Sequence, residues 1–367
     1  MRGRREAILE SQSPLLTPTT TPTSAGAVAD GGAAEPIDGL QEHYYDLCME
    51  KSQEIKPFIL HILQEVDEEI GKGRLEGITL NVAGNSRLMA IERVTGEDFG
   101  ILCRLLKNNP YINGLDVRYN LLSDIGACYA AKLLQKQHNL TYLNLMFNDI
   151  GPEGGEVIAK ALHKDTTLKH LRMTGNKIEN KGGMYFAAML QINSSLEKLD
   201  LGDCDLEEST VHLGHMLKEN QWLVELHMCK HDIKNGGMKQ LCDALYLNRS
   251  LRYLDVSWLS VVSNNIEGEG LVALSQSMKT NPTLSNIYIW GNKFDEATCV
   301  AYSDLIHMGR LKPDNTDVEP FVVDGRVYLA EVSNGLKRHY YWIPGYGAAC
   351  SQSSNAGFTL VPVGQHL

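Results

Sequence analysis

The chain has 367 residues, 43% of them hydrophobic, with a net charge of −11 and an isoelectric point near 5.6. An acidic balance argues against direct nucleic-acid binding, which needs a basic face. No run of 18 apolar residues is available to span a membrane, and the N-terminal MRGRREAILE lacks the apolar region of a secretory signal.

Residues 1–37 are rich in Ser, Thr, Pro, Ala and Gly (TPTTTPTSAGAVADGGAAEP). Such a stretch buries too little apolar surface to offset its ordering entropy, so it reads as a disordered tail. From Leu40 to about Ile70 the pattern turns helical. Pro57 opens a helix at its first turn, where its missing N–H costs nothing. Phe58, Ile59, Ile62, Leu63 and Val66 follow as one apolar stripe. Residues 38–74 are therefore expected to form a helical N-terminal cap over the repeats that follow.

Those repeats are the dominant signal, expected over residues 75–310 as about eight units. Residues 140–150, LTYLNLMFNDI, set a template L-x-x-L-x-L-x-x-N-x-I. Its first apolar position recurs at Ile112, Leu140, Leu168, Leu196, Leu223, Leu251 and Leu284, in steps of 28, 28, 28, 27, 28 and 33 residues. A degenerate first copy, ITLNVAGN at 78–85, precedes them, with a longer loop expected at 86–96. Each unit continues into a helix with small and apolar residues at i, i+3, i+4 and i+7, such as Gly155, Ile158, Ala159 and Leu162. Glycines such as Gly151, Gly182 and Gly236 are expected to punctuate the strand-to-helix turns.

A period of this length predicts an α/β right-handed solenoid, a horseshoe with parallel strands on its concave face and helices on its convex face. The template's leucines point inward, and its asparagines (Asn120, Asn148, Asn176, Asn292) bond the turning backbone. Cys204 and His231 stand in for asparagine in two units. The 33-residue step holds five extra residues. Removing Leu259–Ser263 restores LDVSWNNI, so the segment reads as an isoform-specific addition or a small contact loop at the strand-to-helix turn.

The tail carries FVV-DG-RVYLAEV, a type I′ hairpin signal, then a second turn at Ser333–Gly335 and LKRHYYWIP, a further strand. Residues 311–367 are accordingly expected to form a β-rich C-terminal cap that covers the open edge of the last strand.

The 28-residue unit with a full helix resembles the ribonuclease-inhibitor type of leucine-rich repeat, over roughly residues 75–310. Over its whole length, including VDGRVYLAEVSNGLKRHYYW, the chain is similar to one vertebrate family of leucine-rich-repeat proteins. That resemblance implies an intracellular, partly nuclear or nucleolar, non-catalytic protein, with regulation in stem or germ cells as its setting.

Strand alternation places Asp116, Arg118, Tyr142, Asn144, Met146, His170, Arg172, Lys198, Asp200, Glu225, His227, Cys229, Tyr253, Asp255, Asn286, Tyr288 and Trp290 on the concave face. The carboxylates among them read as a solvated column rather than an acid–base pair. Tyr119, Phe147 and Trp258 sit just past their strands. The candidate partner-binding set is Tyr142, Arg172, Tyr253, Trp258, Tyr288 and Trp290, with Tyr340, Tyr341 and Trp342 from the tail, because rigid aromatic side chains supply contact area at small entropic cost.

HMCKH at 227–231 lacks a fourth ligand and puts His231 on the inward asparagine position, so no metal site is assigned. No nucleophile elbow, phosphate loop or dinucleotide fingerprint occurs. Eight scattered cysteines without a CxxC pair suit reduced thiols. The resulting expectation is a non-enzymatic, cofactor-free scaffold, monomeric on its own, that binds a protein in the cytoplasm or nucleus. The alternatives are a regulator or inhibitor of an enzyme or GTPase, or a structural component of a large assembly such as an axoneme.

Overall fold

A computed structural model describes residues 39–332, apart from 74–76, 86–90, 137–138, 207–208, 232 and 258–263. The expected disordered tail, Trp258, the segment 259–263, the second tail turn and Tyr340, Tyr341 and Trp342 lie outside the described residues.

Two helices come first, α1 (Leu40–Lys51) and α2 (Pro57–Gly71). Phe58, Ile59, Leu63 and Val66 are buried, Ile62 partly so, and α2 packs on the first strand. Strand and helix then alternate. The strands are β1 (Ile78–Asn81), β2 (Ile112–Asp116), β3 (Tyr142–Asn144), β4 (His170–Arg172), β5 (Lys198–Asp200), β6 (Glu225–His227), β7 (Tyr253–Asp255) and β8 (Asn286–Tyr288). The helices between and after them are α3 (Gly96–Leu106), α4 (Ser123–Leu134), α5 (Pro152–Leu162), α6 (Glu179–Leu190), α7 (Ser209–Glu219), α8 (Lys234–Leu245), α9 (Gly268–Thr280) and α10 (Glu296–His307). The eight strands form one parallel sheet in chain order, each helix packing on the next, which is the expected leucine-rich-repeat solenoid.

The template sets the register. Leu115, Leu143, Leu171, Leu199, Leu226, Leu254 and Ile287 pair in one row across the sheet, all fully buried. A polar ladder holds the strand-to-helix side. The Asn176 amide donates to the carbonyls of Leu145 (2.8 Å) and Met173 (2.6 Å), and its oxygen accepts from the N–H groups of Asn148 and Ile150. Cys204 fills the same place by donating to the Met173 and Gly202 carbonyls, and the His231 ring does so against Leu201 O and Leu206 N. Burial lowers the His231 pKa to about 4, so the ring is neutral.

A second ladder runs along the opposite end of the units, and the template does not contain it. Asn109, Asp165, Asn193, Asn220, Asn248 and Asn281 each stand three residues before the first apolar position. Each accepts the N–H of that residue, as from Leu168, Leu196, Leu223, Leu251 and Leu284 at 2.7–2.8 Å. The Asn193 amide in turn donates to the carbonyls of Leu162 and Asp165 in the preceding unit. Consecutive units are thus stitched at both ends.

Gly182 and Gly236 lie within α6 and α8 rather than at turns. A Cβ on Gly155 would stand 3.0 Å from Ile178 Cβ and 3.3 Å from the Cα of Gly182, both of the next unit, so Gly155 sets the helix–helix approach, whereas a Cβ on Gly182 would meet Ile178 of its own unit at 2.8 Å.

Past α10, the hairpin β9 (Val318–Val323) and β10 (Arg326–Glu331) turns at Asp324 and Gly325, both with positive φ as a type I′ turn requires. The hairpin packs on α10 and forms its own two-stranded sheet. The edge of β8 is met instead by the residues before it. Thr316 bridges Ile287, and the Asp317 carboxylate accepts the N–H groups of Ile289 (2.8 Å) and Trp290 (2.9 Å). A carboxylate satisfies those donors without extending the sheet.

Candidate protein-interaction surface

Two rows of side chains flank the core leucines on the concave face. The outer row, Tyr142, His170, Lys198, Glu225, Tyr253 and Asn286, is half-buried or exposed. The inner row is Asp116, Asn144, Arg172, Asp200, His227, Asp255 and Tyr288, and of these only Arg172 and Tyr288 escape full burial. The expected solvated column of carboxylates is therefore corrected, since Asp116, Asp200 and Asp255 are at most 3% exposed. Each bends back to accept the N–H two residues on, at Arg118 (3.2 Å), Gly202 (3.1 Å) and Ser257 (2.9 Å). Neighbouring strands only about 4.8 Å apart let larger side chains close over them. Arg118, Asn144 and Met146, also assigned to the accessible face, are buried too.

The buried charges are matched along the row. Arg118 stands 3.8 Å from Asp116, whose carboxyl burial pushes up against the opposing pull of that guanidinium. Arg172 donates to Asp200 at 3.3 Å, and Asp200 also accepts from the Thr174 hydroxyl. Tyr142 meets His170 edge-on at 6.4 Å, and burial raises its hydroxyl to about 12.

His227, absent from the candidate set, is the hub of the C-terminal half. Its ring bonds Glu225 at 2.7 Å, lies 3.5 Å from Asp255 and packs on Tyr253 with centroids 4.8 Å apart. Burial disfavours its charge, but hydrogen bonds to Asp255 and Glu225 outweigh this and raise the pKa to about 9. Glu225 is also burdened by burial and is nonetheless lowered to about 2 by His227 and by Lys198, 2.9 Å away.

A group with a raised folded pKa contributes stability that is complete below its unfolded value and lost as pH rises through the folded one. Glu225 works in the opposite sense, losing its contribution as pH falls toward 2. Thermal melts of the parent should therefore weaken between pH 6.5 and 9 by roughly 2 kcal/mol. His227→Gln should flatten that alkaline limb, and an unchanged limb in the variant would remove His227 as its source.

Tyr253, of the outer row, reaches across to Tyr288 of the inner row, with centroids 5.0 Å apart. His227, Tyr253 and Tyr288 thus form one aromatic run over three strands. Trp290 lies beyond the strand, against Phe294 at 5.6 Å and partly in the core. At the other end Tyr119 and Phe147, both at positive φ, stack at 4.7 Å. Two further apolar surfaces escaped the sequence reading. Ile192, Trp222, Tyr246 and Leu247 are exposed on the helix-to-strand rim, and Phe321, Val322, Val323 and Tyr328 on the hairpin. Their signal was apolar residues at positions outside the template. The seven described cysteines are free thiols, and among the described residues no group of three or more His, Cys, Asp or Glu is placed to hold a metal. No described helix is long and apolar enough to cross a membrane.

A parallel sheet of strand-plus-helix units, laddered by asparagine and presenting a row of polar and aromatic side chains, defines a leucine-rich-repeat protein. The family model described as "Leucine Rich repeat" matches residues 136–159, 164–187 and 259–275. The chain belongs to the family of leucine-rich repeat-containing protein 34. It is 63% identical to the Homo sapiens protein of that name, over 94% of this chain and 92% of that protein. It is 59% identical to the Mus musculus protein, over 90% of this chain and all of the other. It is also 30% identical, over 35% of this chain and 13% of the other, to NACHT, LRR and PYD domains-containing protein 4E of Mus musculus.

Proposed function

We propose that this protein is a non-catalytic scaffold that binds a protein partner inside the cell through the C-terminal half of its concave face and the adjoining hairpin. The observation that carries the reading is the run His227–Tyr253–Tyr288, in ring contact and held on hydrogen-bonded strands. Rings fixed before binding lose little entropy on association, and clustered Tyr side chains are typical binding hot spots. The hairpin adds Phe321 and Tyr328, stacked at 5.6 Å and both more than 40% exposed. Membership of a repeat family whose domains generally mediate protein interaction supports the same reading. Cytoplasmic and nuclear residence, with the free thiols of a reducing compartment, is part of the proposal.

Affinity capture from cells, quantified by mass spectrometry, tests it. Tyr253→Ala and Tyr288→Ala should each weaken the principal partner by about 2 kcal/mol while leaving the fold intact. Arg172→Ala should act less, because its guanidinium is already engaged by Asp200. Equal recovery of the same partners by the Tyr253/Tyr288 double variant would overturn the assignment of the surface.

A further inference from the structure

The step from Leu251 to Leu284 contains two fronts of a repeat, one after the other. Leu254 and Val256 take the two core positions of the unit and are fully buried. In other units the ladder asparagine follows the second core position by three residues, as Asn148 follows Leu145. Here Asn264 follows Val256 by eight. Asn264 still does the ladder's work, donating to the Val256 (2.8 Å) and Met228 (3.1 Å) carbonyls and accepting from His231 N–H.

Leu259 and Val261 precede Asn264 by five and three residues, the offsets of Leu143 and Leu145 from Asn148 and of Leu171 and Met173 from Asn176. The family-model matches agree independently. Each ends 11 residues after its ladder asparagine (Asn148, Asn176, Asn264), and the third begins at Leu259, at the position of Leu143 and Leu171 in the other two. LRYLDVSW is therefore a unit's front without its ladder, and LSVVSNNI is another unit's front complete with one.

The lengths of the alignments supply what is missing. The comparison with the human protein runs over 430 positions, yet 94% of this 367-residue chain is only about 345 residues, leaving about 85 positions without a counterpart here. The mouse comparison, 415 positions against 90% of the chain, leaves about 85 as well. Three units at the 28-residue period account for this length.

We infer that Trp258 and Leu259 meet at a junction across which three whole repeats, carried by the longer relatives and encoded by this chain's own gene, are omitted. A solenoid accepts such a cut because each unit contacts only its neighbours, so removing a whole number of units restores the same interface. Joining one front to the next leaves five surplus residues in the sequence between Val256 and its ladder asparagine, and a few added residues in a connection cost little. Leu259–Ser263 is then a second strand sequence for a place already filled by Leu254 and Val256, and not an inserted contact loop.

The junction also makes the concave surface of this chain different from that of a longer form. Tyr253 and Tyr288, 5.0 Å apart here, would be separated by three additional strands, roughly 19 Å in all at the strand spacing. The aromatic run is then created by the omission. Its role in binding rests on the function proposed above, whereas the junction does not.

Sequencing the genomic interval between codons 258 and 259, together with full-length transcripts, tests the junction. A splice boundary is expected there, with intervening exons encoding in frame on the order of 80 residues that carry the template's strand twice and its ladder position three times, the third added strand being LSVVS of this chain. Codons 258 and 259 contiguous in one exon, or separated by no in-frame repeat, would overturn it. With those exons restored, Tyr253→Ala and Tyr288→Ala should shift the melting temperature additively, and non-additively in the present chain. Equal coupling in both forms would overturn the claim that the junction creates the aromatic contact, and would leave partner capture as a separate result.

Discussion

Leu171→Asp is expected to abolish the cooperative melt of the repeat region near room temperature. Leu171 is fully buried at the centre of the row of core leucines, between Leu143 and Leu199. An aspartate there removes an apolar side chain and desolvates a carboxylate between Leu143 and Leu199, at a cost of several kcal/mol. Because each unit is stabilised by its neighbours, losing the fourth strand should unfold the solenoid on both sides of it. Leu171→Met, which nearly conserves volume, should cost less than about 1.5 kcal/mol. Circular-dichroism melts of the three proteins check both statements, and an aspartate variant that melts like the parent would refute the placement of Leu171 in the core.

The second large effect is expected at Asn176→Leu. The side chain is fully buried and makes four hydrogen bonds, two donated to the carbonyls of Leu145 and Met173 and two accepted from the N–H groups of Asn148 and Ile150. Leucine has a similar volume but no polar atoms, so the packing survives while these backbone groups lose their partner. At about 1–3 kcal/mol for each buried group left unpaired, the total is on the order of 4 kcal/mol or more. Asn176→Cys should cost less than the leucine variant, because Cys204 holds the same position in the next unit and bonds two carbonyls from it. Urea titrations give these differences directly. A leucine variant within 1 kcal/mol of the parent would show that the ladder is dispensable.

The repeat period, the core row, the asparagine ladder with its Cys204 and His231 substitutes, and the hairpin at Asp324–Gly325 were all legible in the sequence. Each is set by residues a few positions apart. An apolar side chain every second residue of a strand, or an Asp-Gly pair between alternating strands, has one physical solution wherever it is placed. The 28-residue spacing then dictates that equivalent residues stack, so the register follows without further information.

What the tertiary structure alone decided concerns packing that side-chain alternation along a strand does not specify. Whether Asp116, Asp200 and Asp255 face water depends on what the adjoining units place over them, and those units bury them. His227 is charged because Glu225 and Asp255 close on it from its own strand and the next. Gly155 serves helix packing because Ile178 and Gly182 of the next unit would stand 3.0–3.3 Å from a Cβ placed on it. Trp290 leaves the concave row because Phe294 and the residues around Asp317 draw it toward the end of the solenoid. Side-chain alternation along one strand fixes only which face a residue occupies. Its exposure on that face is a property of three strands together, and a template read along a single chain does not contain it.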